Sequence, residues 1–265
     1  MAQSTYLLET RRLVVGEFRC PADDPAWHET NYIGDEPHVV FPLTPVVIDQ
    51  LDKGSVLTTP NHTVFYDGGQ LYRRHLESEE GDHCFFIRLQ PGAFARMGEN
   101  GLRTMHAPND RRTFLERHLL VRQLRAGTIT APRAEDAALR LARAALRLQP
   151  WAAGPSREQT LTAHRELAEA AKALIARSFP SAIPLGRLAA RLGASPFHLA
   201  RVFRRQTGFS VLAYQQSLRL RDALERLPTY DEGLTTLALE LGFSSHSHFT
   251  ETFRREFGIA PSALR

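Results

Sequence analysis

Cysteine and lysine are both scarce in this 265-residue chain: Cys20 and Cys84 are its two cysteines, and Lys53 and Lys172 its two lysines against 31 arginines. Two distant cysteines cannot make a cysteine-ligated zinc finger or staple a small secreted fold. They would form a redox switch only on neighbouring strands; the ordinary reading is a pair of buried, inert thiols. Long apolar runs are missing too, which excludes a membrane-spanning helix. The opening Met-Ala-Gln-Ser-Thr has neither a basic n-region nor an apolar h-region. A cytoplasmic protein without an export signal or membrane partner is therefore expected. Hydrophobic residues make up 43% of the chain, enough to give two domains proper cores and to set disorder aside.

The net charge of +4 conceals an uneven distribution. Residues 1–110 hold 9 basic and 16 acidic side chains, residues 111–155 hold 9 and 3, and residues 156–265 hold 15 and 10. An acidic front half and a basic back half suit a module that handles a small ligand joined to one that meets a polyanion.

The front half is expected to be an antiparallel β-barrel. Short β-rich runs cover Leu13 to Phe18, His38 to Leu43, Val46 to Ile48, Val56 to Thr58, Thr63 to Tyr66, Leu71 to His75 and Cys84 to Leu89. Proline and glycine turns punctuate them, and regular short strands argue for a barrel or sandwich. Asp67-Gly68 is the clearest hairpin signal. Six histidines lie here, namely His28, His38, His62, His75, His83 and His106, without the His-x-His pair that a metal site in a small barrel would use. Neither a metal nor another cofactor is expected.

Helical spacing predicts helices over Thr113 to Ala126 and Pro132 to Leu148, each with arginines opposite its leucines. They serve either as packing against the barrel or as a dimerisation surface. The expected division is a barrel over 1–110, these helices over 111–149, a Pro- and Gly-rich linker over 150–157, and a helical domain over 158–265. Ser156 and Gln159 suggest a capping box opening a helix to about Ser178, with Leu161, Leu167, Ala168, Ala171, Leu174 and Ile175 on one face.

The back half repeats itself. Leu188-Ala189-x-x-Leu192-Gly193 returns 49 residues later as Leu237-Ala238-x-x-Leu241-Gly242. Phe203-Arg204-Arg205-x-x-Gly208 returns 50 residues later as Phe253-Arg254-Arg255-x-x-Gly258, so one residue is inserted in the turn. In each copy a short helix ends at a glycine able to turn left-handed, and a serine, Ser195 or Ser245, caps a second helix. That second helix buries Leu199, Val202 and Phe203, or Phe249, Phe253 and Phe257, and turns its arginines outward. Two helix-turn-helix units follow, joined by a linker helix over Ser210 to Arg226 with Val211, Leu212, Tyr214, Leu218, Leu220 and Leu224 on its expected buried side. The fold class is thus α+β: a barrel with two helices, then an all-α domain of two helix-turn-helix units.

These motifs resemble the DNA-binding domain of the AraC/XylS family of transcription regulators. The match runs through Ser195-Pro196-x-His198-Leu199-x-Arg201, Tyr214, Arg219-Leu220, Gly242-Phe243, His248-Phe249 and Pro261. Pro184-Leu185-Gly186 departs from the pattern, standing where a Ser or Thr cap is usual. The resemblance implies that the acidic barrel is cupin-like and holds a small-molecule effector, and that the protein is a homodimer meeting RNA polymerase at a promoter, more often as an activator. By the family's pattern Phe197, Ala200 and Arg201, with Ser247, Thr250 and Glu251, approach base edges. Ser195, Arg204, Arg205, Ser245, Arg254 and Arg255 approach phosphates. Glu251 either reads a cytosine amino group or pairs with Arg255 one turn on, the second being the default. The alternatives are a cupin-type metal-dependent enzyme with an accessory helical domain, or a protein-binding adaptor.

Overall fold

The computed structural model describes residues 2–95, 105–148 and 158–265. The chain divides into two compact units, Met1–Pro150 and Trp151–Arg265. The expected linker at 150–157, and with it Ser156 of the capping box, lies outside the described residues, as does the Leu161 side chain.

Among the described residues of the first unit, ten strands fall into two antiparallel sheets. β1 (Gln3–Glu9), β2 (Leu13–Cys20), β4 (His38–Pro42), β7 (His62–Tyr66), β9 (Asp82–Leu89) and β10 (His106–Pro108) form one, in the order β1-β2-β9-β4-β7-β10. β3 (Asn31–Tyr32), β5 (Val46–Gln50), β6 (Gly54–Thr58) and β8 (Leu71–Leu76) form the other, in the order β3-β8-β5-β6. No strand pairing joins the two sheets among the described residues, so the barrel is two packed sheets rather than one closed ladder.

Side-chain parity explains why the six-stranded sheet is buried on both faces. Its odd-numbered residues, among them Leu13, Val15, Val39, Phe41, Phe65, Phe85 and Ile87, share a core with Leu120, Val121, Ala138, Leu141 and Ala142. Those last five come from α2 (Arg111–Arg125) and α3 (Ala131–Arg147), which follow the short α1 (Pro91–Ala95). Its even-numbered residues, Cys20, Val40, Val64, Tyr66, Cys84 and Phe86, meet Val46, Ile48 and Val56 of the second sheet. Each fully buried Leu, Val or Phe contributes roughly 1.5–3 kcal/mol. α2 begins at Asp110, whose carboxylate accepts from the Thr113 N–H at 2.8 Å.

Three expectations are corrected here. First, β7 and β8 do not form a hairpin, because β7 pairs with β4 and β10 while β8 pairs with β3 and β5. Asp67-Gly68 carries the chain from one sheet to the other. Gly68 is required by a close approach: a Cβ there would lie 2.0 Å from the Asp35 carbonyl oxygen. Second, not every arginine of α2 lies opposite its leucines, since Arg117 is fully buried with its guanidinium 4.7 Å from the Phe114 ring centre. Third, Leu212 of the linker helix is 71% exposed.

The second unit contains α4 (Glu158–Ser178), α5 (Leu185–Arg191), α6 (Pro196–Thr207), α7 (Val211–Arg226), α8 (Leu234–Glu240) and α9 (His246–Phe257). The first half of its core joins Ala171 and Ile175 of α4 to Leu188, Leu199, Phe203, Tyr214 and Leu218. The second half is an aromatic ladder, Phe243, Phe249, Phe253 and Phe257, with successive ring centres 5.2, 5.6 and 4.8 Å apart.

Candidate nucleic-acid interface

The repeat in the sequence is a repeat in space. α5 and α8 each have seven residues, and α6 and α9 each have twelve. Neither short helix has a side-chain cap: Pro184 and Gly233 occupy the capping positions, so the departure at Pro184 recurs as a glycine in the second copy. Both long helices are capped, the Ser195 hydroxyl accepting from the His198 N–H at 3.2 Å and the Ser245 hydroxyl from the His248 N–H at 3.2 Å. Local order is thus concentrated at the start of the two helices that carry the candidate contacts.

The turns are built alike. Gly193 and Gly242 take φ of +62° and +73°, the left-handed region that favours glycine. Gly242 is the more constrained, because a Cβ would lie 2.9 Å from the Pro180 carbonyl oxygen and 2.9 Å from an Arg219 nitrogen. Arg219 of α7 donates to the Gly242 carbonyl at 2.9 Å, tying the linker helix to the second turn. One turn earlier on α7, Gln215 exchanges two hydrogen bonds with the Ile183 backbone, at 2.9 and 3.0 Å, ahead of the first helix-turn-helix. α7 therefore holds both copies, a role of Gln215 that spacing gave no reason to single out.

On α6, Leu199, Val202 and Phe203 are buried as expected, while Phe197, Arg201, Arg204 and Arg205 are exposed and Ala200 is half-buried. Phe197 is 79% exposed, a large aromatic ring at the N-terminal turn of an arginine-bearing helix. On α9, Ser247, Glu251, Arg254 and Arg255 are exposed and Thr250 is half-buried. Glu251 makes no ion pair with Arg255, so the default pairing is not formed and its carboxylate stands in solvent. The Thr250 hydroxyl lies 3.3 Å from His246 Nε2, one helical turn back. The arginines at 204, 205, 254 and 255 sit in the last turns of their helices, where the helix dipole also favours positive charge. α4 flanks α6, with His164 and His198 rings 5.5 Å apart. Burial, followed by His198, Arg205 and Arg201, pushes His164 below its ordinary value.

The two cysteines do lie on neighbouring strands, but Cys20 faces Asp82 and Cys84 faces Phe18, a diagonal offset. Diagonal strand neighbours stand roughly 7–8 Å apart, beyond the reach of a relaxed disulfide. Both are free and buried, and burial raises both thiols above their ordinary value, which disfavours the reactive thiolate. Among the described residues no group of three or more His, Cys, Asp or Glu side chains is disposed to hold a metal ion. No helix is long and apolar enough to cross a membrane among them either.

A duplicated helix-turn-helix unit, with a serine cap and exposed arginines on each second helix, defines a helix-turn-helix DNA-binding domain. Residues 188–265 match a family model described as a helix-turn-helix domain. The chain is 32% identical over 85 residues to the multiple antibiotic resistance protein MarA of Escherichia coli (strain K12), covering 32% of this chain and 67% of that protein. It is 32% identical over 107 residues to the transcriptional activator RhaS of Pectobacterium carotovorum subsp. carotovorum (strain PC1), over 40% of this chain. The chain spans only 38% of that relative's length. A solved regulator from Chromobacterium violaceum with an AraC-type DNA-binding domain is 27% identical and covers 39% of this chain and 93% of its own, with a TM-score of 0.37. The chain belongs to the AraC/XylS family.

Proposed function

We propose that the protein is a sequence-specific regulator of transcription that binds promoter DNA through α6 and α9, and is not an enzyme. The observation that carries this reading is the repeated, serine-capped helix that turns its apolar face inward and its arginines outward at the same positions in both copies. A helical bundle with arginines on its wet side has no need of a duplicated turn.

In this reading Arg201 makes bidentate contact with a guanine, and Ala200 and Phe197 touch thymine methyl groups. Ser247, Thr250 and Glu251 are the base-facing residues of α9, with the exposed Glu251 carboxylate able to accept from a cytosine amino group. Ser195, Ser245, Arg204, Arg205, Arg254 and Arg255 hold phosphates. Both serine oxygens already accept a capping bond, and each hydroxyl hydrogen remains able to donate to a phosphate oxygen. The first unit of the fold, a cupin-like sandwich, is the sensor for a small molecule and contributes to a homodimer; RNA polymerase is the downstream partner and activation the expected sign.

Gel shifts on DNA from the protein's own promoter region test the reading. Affinity falls steeply with salt. Arg201→Ala relaxes base preference, at about 1–3 kcal/mol for the lost contact, while Arg204→Ala weakens all sequences alike. Unchanged selectivity in Arg201→Ala would remove the assignment of the recognition face.

A further inference from the structure

The even-numbered side chains of β9 line a cavity of about 280 Å³ between the two sheets of the first unit. They are Asp82, Cys84, Phe86 and Arg88, so the cavity runs along the strand from an acidic residue at one end to a basic one at the other. At the rise of an antiparallel strand those two ends are roughly 20 Å apart along the backbone. The volume sits at the small end of the roughly 300–1,000 Å³ typical of ligand pockets.

The two ends differ in charge. At the Asp82 end, Arg74 is 2% exposed, donates to Asp82 Oδ2 at 3.2 Å and to Asn31 Oδ1 at 3.4 Å, and lies over the rings of Phe18 and Trp27. Its Nε–H is buried and has no partner among the described residues. A buried donor of this kind is destabilising until something accepts from it. The charge of Arg74 is already balanced, and Asp82 would repel a carboxylate, so this end suits a neutral oxygen. At the other end Arg88 stands opposite His38 and beside the Tyr6 ring, without an ion pair among the described residues and with its own Nε–H unpartnered. His38 donates Nδ1–H to the Glu36 carbonyl at 2.8 Å, and burial keeps the ring uncharged, so Arg88 gains no competing cation there. Between the ends the walls are Val40, Ile48, Val64, Tyr66 and Phe86. Two arginines and one aspartate leave one positive charge to be met.

We propose, on the reading of this unit as a sensor, that the cavity takes a small monocarboxylate with an apolar or aromatic body. Arg88 holds the carboxylate. A hydroxyl or carbonyl oxygen at the far end of the ligand accepts from Arg74 Nε–H, and a hydroxyl there donates to Asp82.

Calorimetric titration of the full chain with 3-(4-hydroxyphenyl)propanoate, its neutral amide, and 3-phenylpropanoate tests this. The hydroxylated acid binds at least tenfold more tightly than the amide, and removing the hydroxyl weakens binding several-fold. Arg88→Gln abolishes the preference for acid over amide and Arg88→Lys retains it. Equal affinity for acid and amide in the unaltered protein, or binding of neither, overturns the proposal whether or not Arg88→Gln folds. Gel shifts at saturating ligand separate this from the sensor reading. An acid that binds in the expected way without changing DNA affinity removes the sensor and keeps the ligand class, whereas acid and amide changing DNA affinity equally keeps the sensor and removes the class.

Discussion

His38 shows how a single residue sets the conditions under which the first unit holds together. Its ring is buried between Glu36 and Phe86, with centres 5.8 Å apart in the latter contact, and burial pushes its pKa from 6.5 down to about 4. The unfolded chain binds a proton more readily than the folded one between those two values, so the full stability is present above about pH 6.5 and is lost as pH falls towards 4. At pH 5 the loss amounts to roughly 2 kcal/mol. Urea unfolding followed by Trp27 fluorescence in a Trp151→Phe background should show that difference between pH 7 and pH 5, and His38→Gln should remove most of it. An unchanged pH dependence in His38→Gln would place the titration elsewhere. The sequence counted His38 as one histidine among six without a metal-binding pattern. Its parity with Val40 and Pro42 was readable, but the cavity it faces was not, because that depends on which strands of the other sheet lie opposite.

At the scale of elements, legibility followed repetition and alternation. The second unit was readable because α6 and α9 repeat cap, buried face and terminal glycine, each of which has a local cause. All seven β-rich runs became strands, yet three strands went unread. β1 is an edge strand, mostly exposed, and therefore without the alternation that marks a half-buried strand. β3 and β10 have two and three residues, too few to carry a period. The hairpin expected at Asp67-Gly68 failed for a related reason: glycine there serves a non-local approach to Asp35, which looks the same in sequence as a tight turn. The serine caps give an element-scale test. Ser195→Ala and Ser245→Ala each remove one capping bond and should cost about 1 kcal/mol in thermal unfolding. Ser195→Asp should keep the cap and the stability while weakening DNA binding, since a carboxylate would then face a phosphate. Undiminished DNA binding by a stable Ser195→Asp would take Ser195 out of the phosphate contacts.

For the whole molecule, the decisive question is whether both helix-turn-helix units engage DNA at once. Arg219 to Gly242 and Gln215 to Ile183 bind the linker helix to both copies, which argues for two recognition helices presented as one rigid reader. The faces are unequal in character, however: α6 offers Phe197 and Arg201, whereas α9 offers Ser247, Thr250 and an exposed Glu251. A carboxylate towards a polyanion weakens the second contact, so phosphate contacts by Arg254 and Arg255 must offset it if α9 is to dock. Salt dependence separates the cases, because each phosphate neutralised on duplex DNA adds about 0.9 to the slope of log affinity against log salt. If both units dock, Arg204→Ala and Arg254→Ala should each lower the slope by about 0.9 and the double variant by about 1.8. If the first helix-turn-helix docks alone, Arg254→Ala should leave the slope unchanged, and the positive charge of α9's last turn would then answer only to its own helix dipole. Additivity in the double variant is the expected result, since two copies held by one linker helix cannot approach DNA independently.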